Sequence, residues 1–240
     1  METRTYIFKI KRYLPEENPK ERWDEFEIEL DTMSRVLDGL IKIKEEYDGT
    51  LAFRKSCAHG VCGSCAMKIN GKNGLACQTL VKDLPNVIVI EPLPALPVIK
   101  DLVVDMKVFF EKNDLIYPYL INNDPPPERE RLQSPEDHEK IVEAITCIQC
   151  GSCTTSCPVF WSNQNYIGPS AFLKAYRFIF DSRDQATKER MERLVKENGL
   201  WRCHSIFNCV EACPKEIDIT KHIIKLKQLA VKLGLKGEIK

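Results

Sequence analysis

Tyr6, Phe8 and Ile10 alternate with polar neighbours along the chain, and Phe26, Ile28 and Leu30 do the same. A period of two marks a strand with one face buried. The two segments should therefore pair as a hairpin across the polar stretch 15–19, which has a proline at each end. Val36, Leu37, Leu40 and Ile41 then fall on one helical face, and Gly49 lies just past Tyr47, where such a helix would stop. Residues 70–74, Asn-Gly-Lys-Asn-Gly, are turn chemistry, and the stretches 75–80 and 87–90 follow as strand candidates. Residues 91–97, Glu-Pro-Leu-Pro-Ala-Leu-Pro, form a stiff connector, so a boundary is expected between about residues 92 and 106.

The pattern changes beyond it. Residues 122–127, Asn-Asn-Asp-Pro-Pro-Pro, break any element, and Ser134-Pro135-Glu136-Asp137 then supplies an N-cap, a proline at the first helical position and an acidic first turn. That helix should run to about Ile145. Residues 171–180, 184–197 with Gly199 beyond, and 220–233 with Gly234 beyond read as further helices. The expectation is an α+β protein, with a small β-grasp sheet on one helix in 1–105 and an all-α domain in 106–240.

Composition narrows the class. With 240 residues, 43% of them hydrophobic, there is room for two modest domains. Thirty-five basic residues balance thirty-five acidic ones, so no nucleic-acid footprint is expected. The most apolar stretch, 87–99, is cut by Glu91 and three prolines, well short of the roughly 20 residues of a membrane span. Eleven cysteines are an odd number, and the start Met-Glu-Thr-Arg-Thr-Tyr-Ile does not resemble a signal peptide. Both point to a reducing compartment, a cytoplasm.

The cysteines fall into three runs that use all eleven: Cys57-x4-Cys62-x2-Cys65-x11-Cys77, Cys147-x2-Cys150-x2-Cys153-x3-Cys157-Pro158, and Cys203-x5-Cys209-x3-Cys213-Pro214. The first is the spacing of a plant-type ferredoxin [2Fe-2S] site. The second is the bacterial ferredoxin run, whose fourth cysteine serves the neighbouring cluster. The third is that run with Ile206 at the second ligand position, and isoleucine has no atom that binds iron. Crossing over the last cysteine of each run gives Cys147, Cys150, Cys153 and Cys213 to a [4Fe-4S] cluster. Cys157, Cys203 and Cys209 are left for a [3Fe-4S] cluster. The chain then reads as a plant-type ferredoxin domain followed by a bacterial-ferredoxin-like domain, an electron wire with three stations.

Structural zinc is the competing chemistry, but seven cysteines cannot fill two four-ligand sites without a recruit such as His204. His59 reads as a loop residue with a backbone partner. His204, next to a cluster cysteine, serves either that cluster or local packing. Trp161 and the helix at 171–180 read as core, and Lys221, Lys225 and Lys227 as a solvated helical face.

The order of the runs, the segment Ser-Cys-Ala-His-Gly-Val-Cys-Gly-Ser-Cys at 56–65, Asp-Ser-Arg-Asp at 181–184 and Trp-Arg-Cys-His-Ser-Ile-Phe-Asn-Cys at 201–209 resemble the iron–sulfur subunit of succinate dehydrogenase, respiratory complex II. The resemblance spans nearly the whole chain. It implies a flavoprotein partner with covalent FAD that oxidises succinate, single-electron passage through the three clusters, and delivery to quinone at membrane-anchor subunits, where heme is an option. It places the protein peripherally on the cytoplasmic face of a prokaryotic inner membrane. Pro158, Trp161, Ser162, His204 and Ile206 occupy the positions that face the quinone. Ser162 departs from the second tryptophan of many ubiquinone-reducing relatives, so menaquinone stands beside ubiquinone. Fumarate reductase, the same wire run in reverse, is the nearest alternative, and a free-standing ferredoxin-like carrier a more distant one.

Overall fold

The computed structural model describes residues 2–237. The chain divides into two compact units, one made of residues 1–106 and 148–156, the other of 107–147 and 157–240.

In the first unit, β1 (Thr3–Tyr13) and β2 (Glu21–Asp31) form the expected antiparallel hairpin, with Tyr6 opposite Ile28 and Phe8 opposite Phe26. Three further strands, β3 (Ala66–Ile69), β4 (Lys72–Leu75) and β5 (Val87–Glu91), complete a five-stranded sheet in the order β2-β1-β5-β3-β4 among the described residues. β1 and β5 run parallel and the other neighbours antiparallel. Alternation fixes the buried face: Tyr6, Phe8, Ile10, Ile28, Ile88, Ile90, Met67 and Ile69 all point into one core. Across it lies α1 (Val36–Lys42), which continues as a π-helical turn, Ile43–Tyr47. At Gly39 the helix approaches so closely that a Cβ would sit 2.3 Å from the Phe8 ring, so only glycine fits. A small ribbon, β6 (Val98–Lys100) with β7 (Val103–Val104), follows.

The stretch 75–80 is not the strand its apolar character implied. The turn is only two residues long, Asn70 and Gly71, both at positive φ, the geometry of a tight hairpin. β4 therefore starts inside the expected turn and ends at Leu75, and the chain then folds back through hydrogen-bonded turns.

The buried stripe of β1 ends on a charge. Arg12 is fully buried and donates to Asp101 (3.0 Å), Asp24 (2.8 Å), Asp48 and the Thr50 hydroxyl (3.1 Å). Asp101, equally buried, also accepts the Tyr13 and Ala52 N–H groups. This network pins 48–52, the segment leading into the first cysteine run.

The second unit is helical, with α2 (Lys107–Asp114), α3 (Pro135–Ile145), α5 (Pro158–Ser162), α6 (Pro169–Ile179), α7 (Thr187–Leu194), α8 (Asn208–Glu211) and α9 (Ile219–Lys232). The single turn α4 (Ser152–Thr155) belongs to the first unit. Ser134 caps α3 as expected, accepting the Asp137 N–H. α6 is buried along most of its length, as its composition implied. α7 is shorter than the expected 184–197. The Asp184 carboxylate is engaged upstream of it, accepting from the N–H groups of Ile121 and Ala186 and from buried Arg190. Among the described residues no helix is long and apolar enough to cross a membrane.

Candidate metal centres

In the first cysteine run the backbone turns left-handed at Ala58, Gly60 and Gly63, with φ of 58°, 70° and 73°. That curl aims N–H groups at sulfur. Cys57 Sγ accepts from the N–H groups of His59 and Cys62, each at 3.3 Å, and Cys62 Sγ accepts from the Ser64 hydroxyl at 3.3 Å. His59 therefore takes part through its N–H, while its side chain is exposed. The Ser64 hydroxyl, followed by backbone groups of Cys57 and Ser64, lowers the Cys62 thiol to about 6. Cys65 just precedes β3 and Cys77 follows β4, so the hairpin brings them together in the interior, each only 3% exposed. Burial, with Cys77 adjacent, pushes Cys65 up to about 12. A cationic metal core would reverse that cost, since it stabilises the thiolate that burial disfavours. At Gly63 a Cβ would stand 2.9 Å from the Cys150 Cβ, so the loop carrying three of these thiolates presses on the second cysteine run.

The second and third runs share one backbone. Gln149 and Gly151 are left-handed (φ 53° and 83°) and lead into the one-turn helix α4. Ser205 and Phe207 are left-handed (φ 53° and 70°) and lead into the one-turn helix α8. Counted from Cys147 and from Cys203, the positions coincide. Cys150 then matches Ile206, Cys153 matches Cys209, and Cys157 matches Cys213. Phe207, a bulky residue at positive φ, holds a strained conformation that Gly151 adopts freely. The fold thus keeps the cluster-binding turn although one ligand is absent. No disulfide joins any of the eleven cysteines.

Cys157, Cys203 and Cys209 line a single small cavity, together with Pro158, Tyr166, His204, Ile206 and Ile223. Burial pushes the Cys209 thiol up to about 11, with neighbouring Cys203 and Cys157 adding to the rise, and burial likewise raises Cys157, with Cys203 contributing. The Thr220 hydroxyl lies 3.5 Å from Cys209 Sγ, and Lys227 donates to the Cys203 carbonyl at 2.7 Å. Lys227 is thus tied to the cysteine loop instead of facing only solvent, and Lys225 donates to the Tyr176 hydroxyl. Tyr166 is fully buried, and burial together with the three sulfurs drives its phenol upward. Its hydroxyl makes no full hydrogen bond, and the Cys203 sulfur is the acceptor it faces. Three thiols lining one cavity beside an orphaned O–H fit a sulfur-rich inorganic core, although among the described residues no three ligand side chains already stand close enough to hold a single metal ion.

A more open recess adjoins it, lined by Pro158, Val159, Ser162, Asn163, Arg202, His204 and Ile206. Four of the five residues placed toward quinone meet here. Trp161 is not among its lining residues, and at 51% exposed it is no core residue either. Val159, Asn163 and Arg202 were missed from sequence, as was Tyr166. Each is an ordinary residue in a loop or helix end, with only its distance from a cysteine as a signal.

A thiolate loop on a small sheet, followed by two cysteine runs that repeat one turn, defines an iron–sulfur electron-transfer protein. Residues 7–111 match the family profile of a 2Fe-2S iron-sulfur cluster binding domain, and residues 139–214 match that of a 4Fe-4S dicluster domain. The chain is 45% identical over 226 residues to the succinate dehydrogenase iron-sulfur subunit of Paracoccus denitrificans, covering 93% of this chain and 87% of that one. It is 42% identical to the subunit of the same name from Coxiella burnetii, covering 92% and 94%. Against the rice mitochondrial succinate dehydrogenase [ubiquinone] iron-sulfur subunit 1 it is 45% identical, covering 94% and 82%. Among solved structures, a chain of the Mycobacterium smegmatis Sdh1 complex in the apo form superposes with a TM-score of 0.87 at 25% identity, covering 99% of this chain and all of that one. The chain belongs to the succinate dehydrogenase iron–sulfur subunit family. It serves electron transfer through iron–sulfur clusters within that oxidoreductase complex.

Proposed function

We propose that Cys57, Cys62, Cys65 and Cys77 hold [2Fe-2S], that Cys147, Cys150, Cys153 and Cys213 hold [4Fe-4S], and that Cys157, Cys203 and Cys209 hold [3Fe-4S]. By sequence, residues 1–105 carry the first cluster's ligands and 106–240 those of the other two, although residues 148–156, with Cys150 and Cys153, pack in the first compact unit. When bound, the clusters supply one-electron carriers in series. One observation carries the reading: the third cysteine run repeats the backbone of the second, with Ile206 in place of Cys150, and three thiols line its cavity.

The chain's own residues hold and tune. Peptide N–H groups at Cys57 and hydroxyls at Cys62 and Cys209 stabilise negative charge on sulfur. Electrons enter from an FAD-bearing flavoprotein subunit that binds succinate. They leave to a quinone seated by Pro158, Ser162, His204 and Ile206 with Trp161 at the rim, where membrane-anchor subunits cover the exposed Trp161, Ile206 and Phe207. The complex would sit at the cytoplasmic face of a prokaryotic inner membrane. His204 is the residue proposed to donate to a quinone oxygen, a reading supported by its exposure among the residues that line the recess.

Metal analysis with electron paramagnetic resonance (EPR) of the native complex tests this. The expected content is about nine iron atoms per chain, from one cluster each of two, four and three irons, with three distinct signals. Fewer than three signals in undamaged protein would refute the assignment.

A further inference from the structure

The Tyr166 hydroxyl is the one orphaned buried polar atom, among the described residues, that faces the cavity shared by Cys157, Cys203 and Cys209. Buried hydroxyls are almost always hydrogen-bonded, and leaving one without a partner costs stability. Packing alone does not call for that oxygen. The ring is already held by Phe172, with centroids 5.6 Å apart, and a phenylalanine would fill the same space. The backbone fixes where the ring points: the Tyr166 N–H donates to the Asn163 carbonyl, the Asn163 amide to Asn198, and the Ile167 N–H to the Asn198 carbonyl. An O–H held in this way lies in the field of the Cys203, Cys157 and Cys209 sulfurs and faces Cys203 as its one acceptor.

We propose that Tyr166 donates its O–H to the sulfur shell of the [3Fe-4S] cluster, on the Cys203 side, and raises that cluster's reduction potential. The inference rests on the ligand assignment above. Reduction places one more electron on the iron–sulfur core and makes its sulfurs better acceptors, so a fixed donor stabilises the reduced form more than the oxidised one. The proton remains on the tyrosine oxygen throughout, and only the electron moves. Tyr166 is thus a tuning residue that acts through the cluster, and it has no direct contact with quinone in this role.

The test is Tyr166→Phe in the intact complex, with the oxidised [3Fe-4S] EPR signal followed through a potentiometric titration. Losing the donor should lower the reduced-to-oxidised ratio at a fixed potential about tenfold, a midpoint shift of about 59 mV downward for one electron. An unchanged midpoint with the signal intact overturns the proposal and leaves the ligand assignment standing. A wild-type complex with no [3Fe-4S] signal overturns the assignment itself. Should Tyr166→Phe fail to assemble, wild-type complex grown with tyrosine carrying 17O in its hydroxyl decides. A resolved 17O hyperfine coupling to the oxidised cluster supports the bond, and its absence refutes it.

Discussion

Arg12→Met removes five N–H donors from the interior of the first unit and leaves Asp101 fully buried with its charge unmatched. Two further carboxylates, Asp24 and Asp48, with side chains 20% and 22% exposed, lose the same partner. Breaking a buried ion pair from one side costs about 3–5 kcal/mol. Exposed pairs such as Arg4 with Glu2 are worth far less. With a urea slope of about 1–3 kcal/mol per M, the unfolding midpoint should fall by about 1 M or more. The readout is the [2Fe-2S] visible circular dichroism along a urea titration of the whole protein, because the network holds 48–52 at the entry to that loop. Asp101 stands at φ 46°, a conformation asparagine tolerates, so Arg12→Met with Asp101→Asn removes the stranded charge without new backbone strain. The double variant should recover part of the loss. A single variant within about 1 kcal/mol of wild type, or a double variant worse than the single, would refute the account.

Ile206→Cys should supply the missing ligand, convert the third cluster to [4Fe-4S] and lower its potential; an undiminished oxidised [3Fe-4S] signal would show that something else excludes the fourth iron. Cys213→Ser should damage the [4Fe-4S] signal and Cys157→Ser the [3Fe-4S] signal, and EPR showing the reverse would overturn the crossover. Burial works against ionisation of Asp48, but hydrogen bonds from Thr50 and Arg12 outweigh it and hold the carboxyl at about 2, below its usual 3.8. Its contribution, at most about 2 kcal/mol, is therefore complete above the unfolded value and lost as pH falls from near 3.8 through 2. Asp48→Asn should flatten the unfolding midpoint across that window, and an unchanged pH slope would count against the carboxylate.

The hairpin, the first helix and the capped α3 were legible because each rests on a local rule: alternation, one apolar face, or a Ser-Pro start. The β4 boundary was not, because Asn70-Gly71 and Asn73-Gly74 are equally good turn pairs and only the pairing of Lys72 with Ile69 decides between them. Ile206 could be read as a vacant ligand position from spacing alone. That Ser205 and Phe207 keep the cluster turn could not, since phenylalanine gives no hint of positive φ. Tyr166 was invisible for a different reason. Its importance lies in a buried oxygen without a full hydrogen bond, which only burial reveals. Arg12 looked like one more polar residue after an apolar stripe, and its acidic partners lie as far away as Asp101.

The first unit closes only with a late piece of chain. Residues 148–156 pack with the sheet: the Asn73 amide donates to the Ser152 carbonyl and the Thr155 hydroxyl, and Gly63 is bare where Cys150 approaches. During synthesis about forty residues of the other unit must emerge before that piece does, a delay of roughly 2–8 s at ordinary elongation rates. Through that interval the nascent sheet carries an unfilled seam beside its thiolate loop. Iron arriving at the first site within that interval would meet a half-built vessel, and a ribosome stalled near residue 147 should hold a chain whose first cysteines are more open to alkylation than those of a chain released past residue 156.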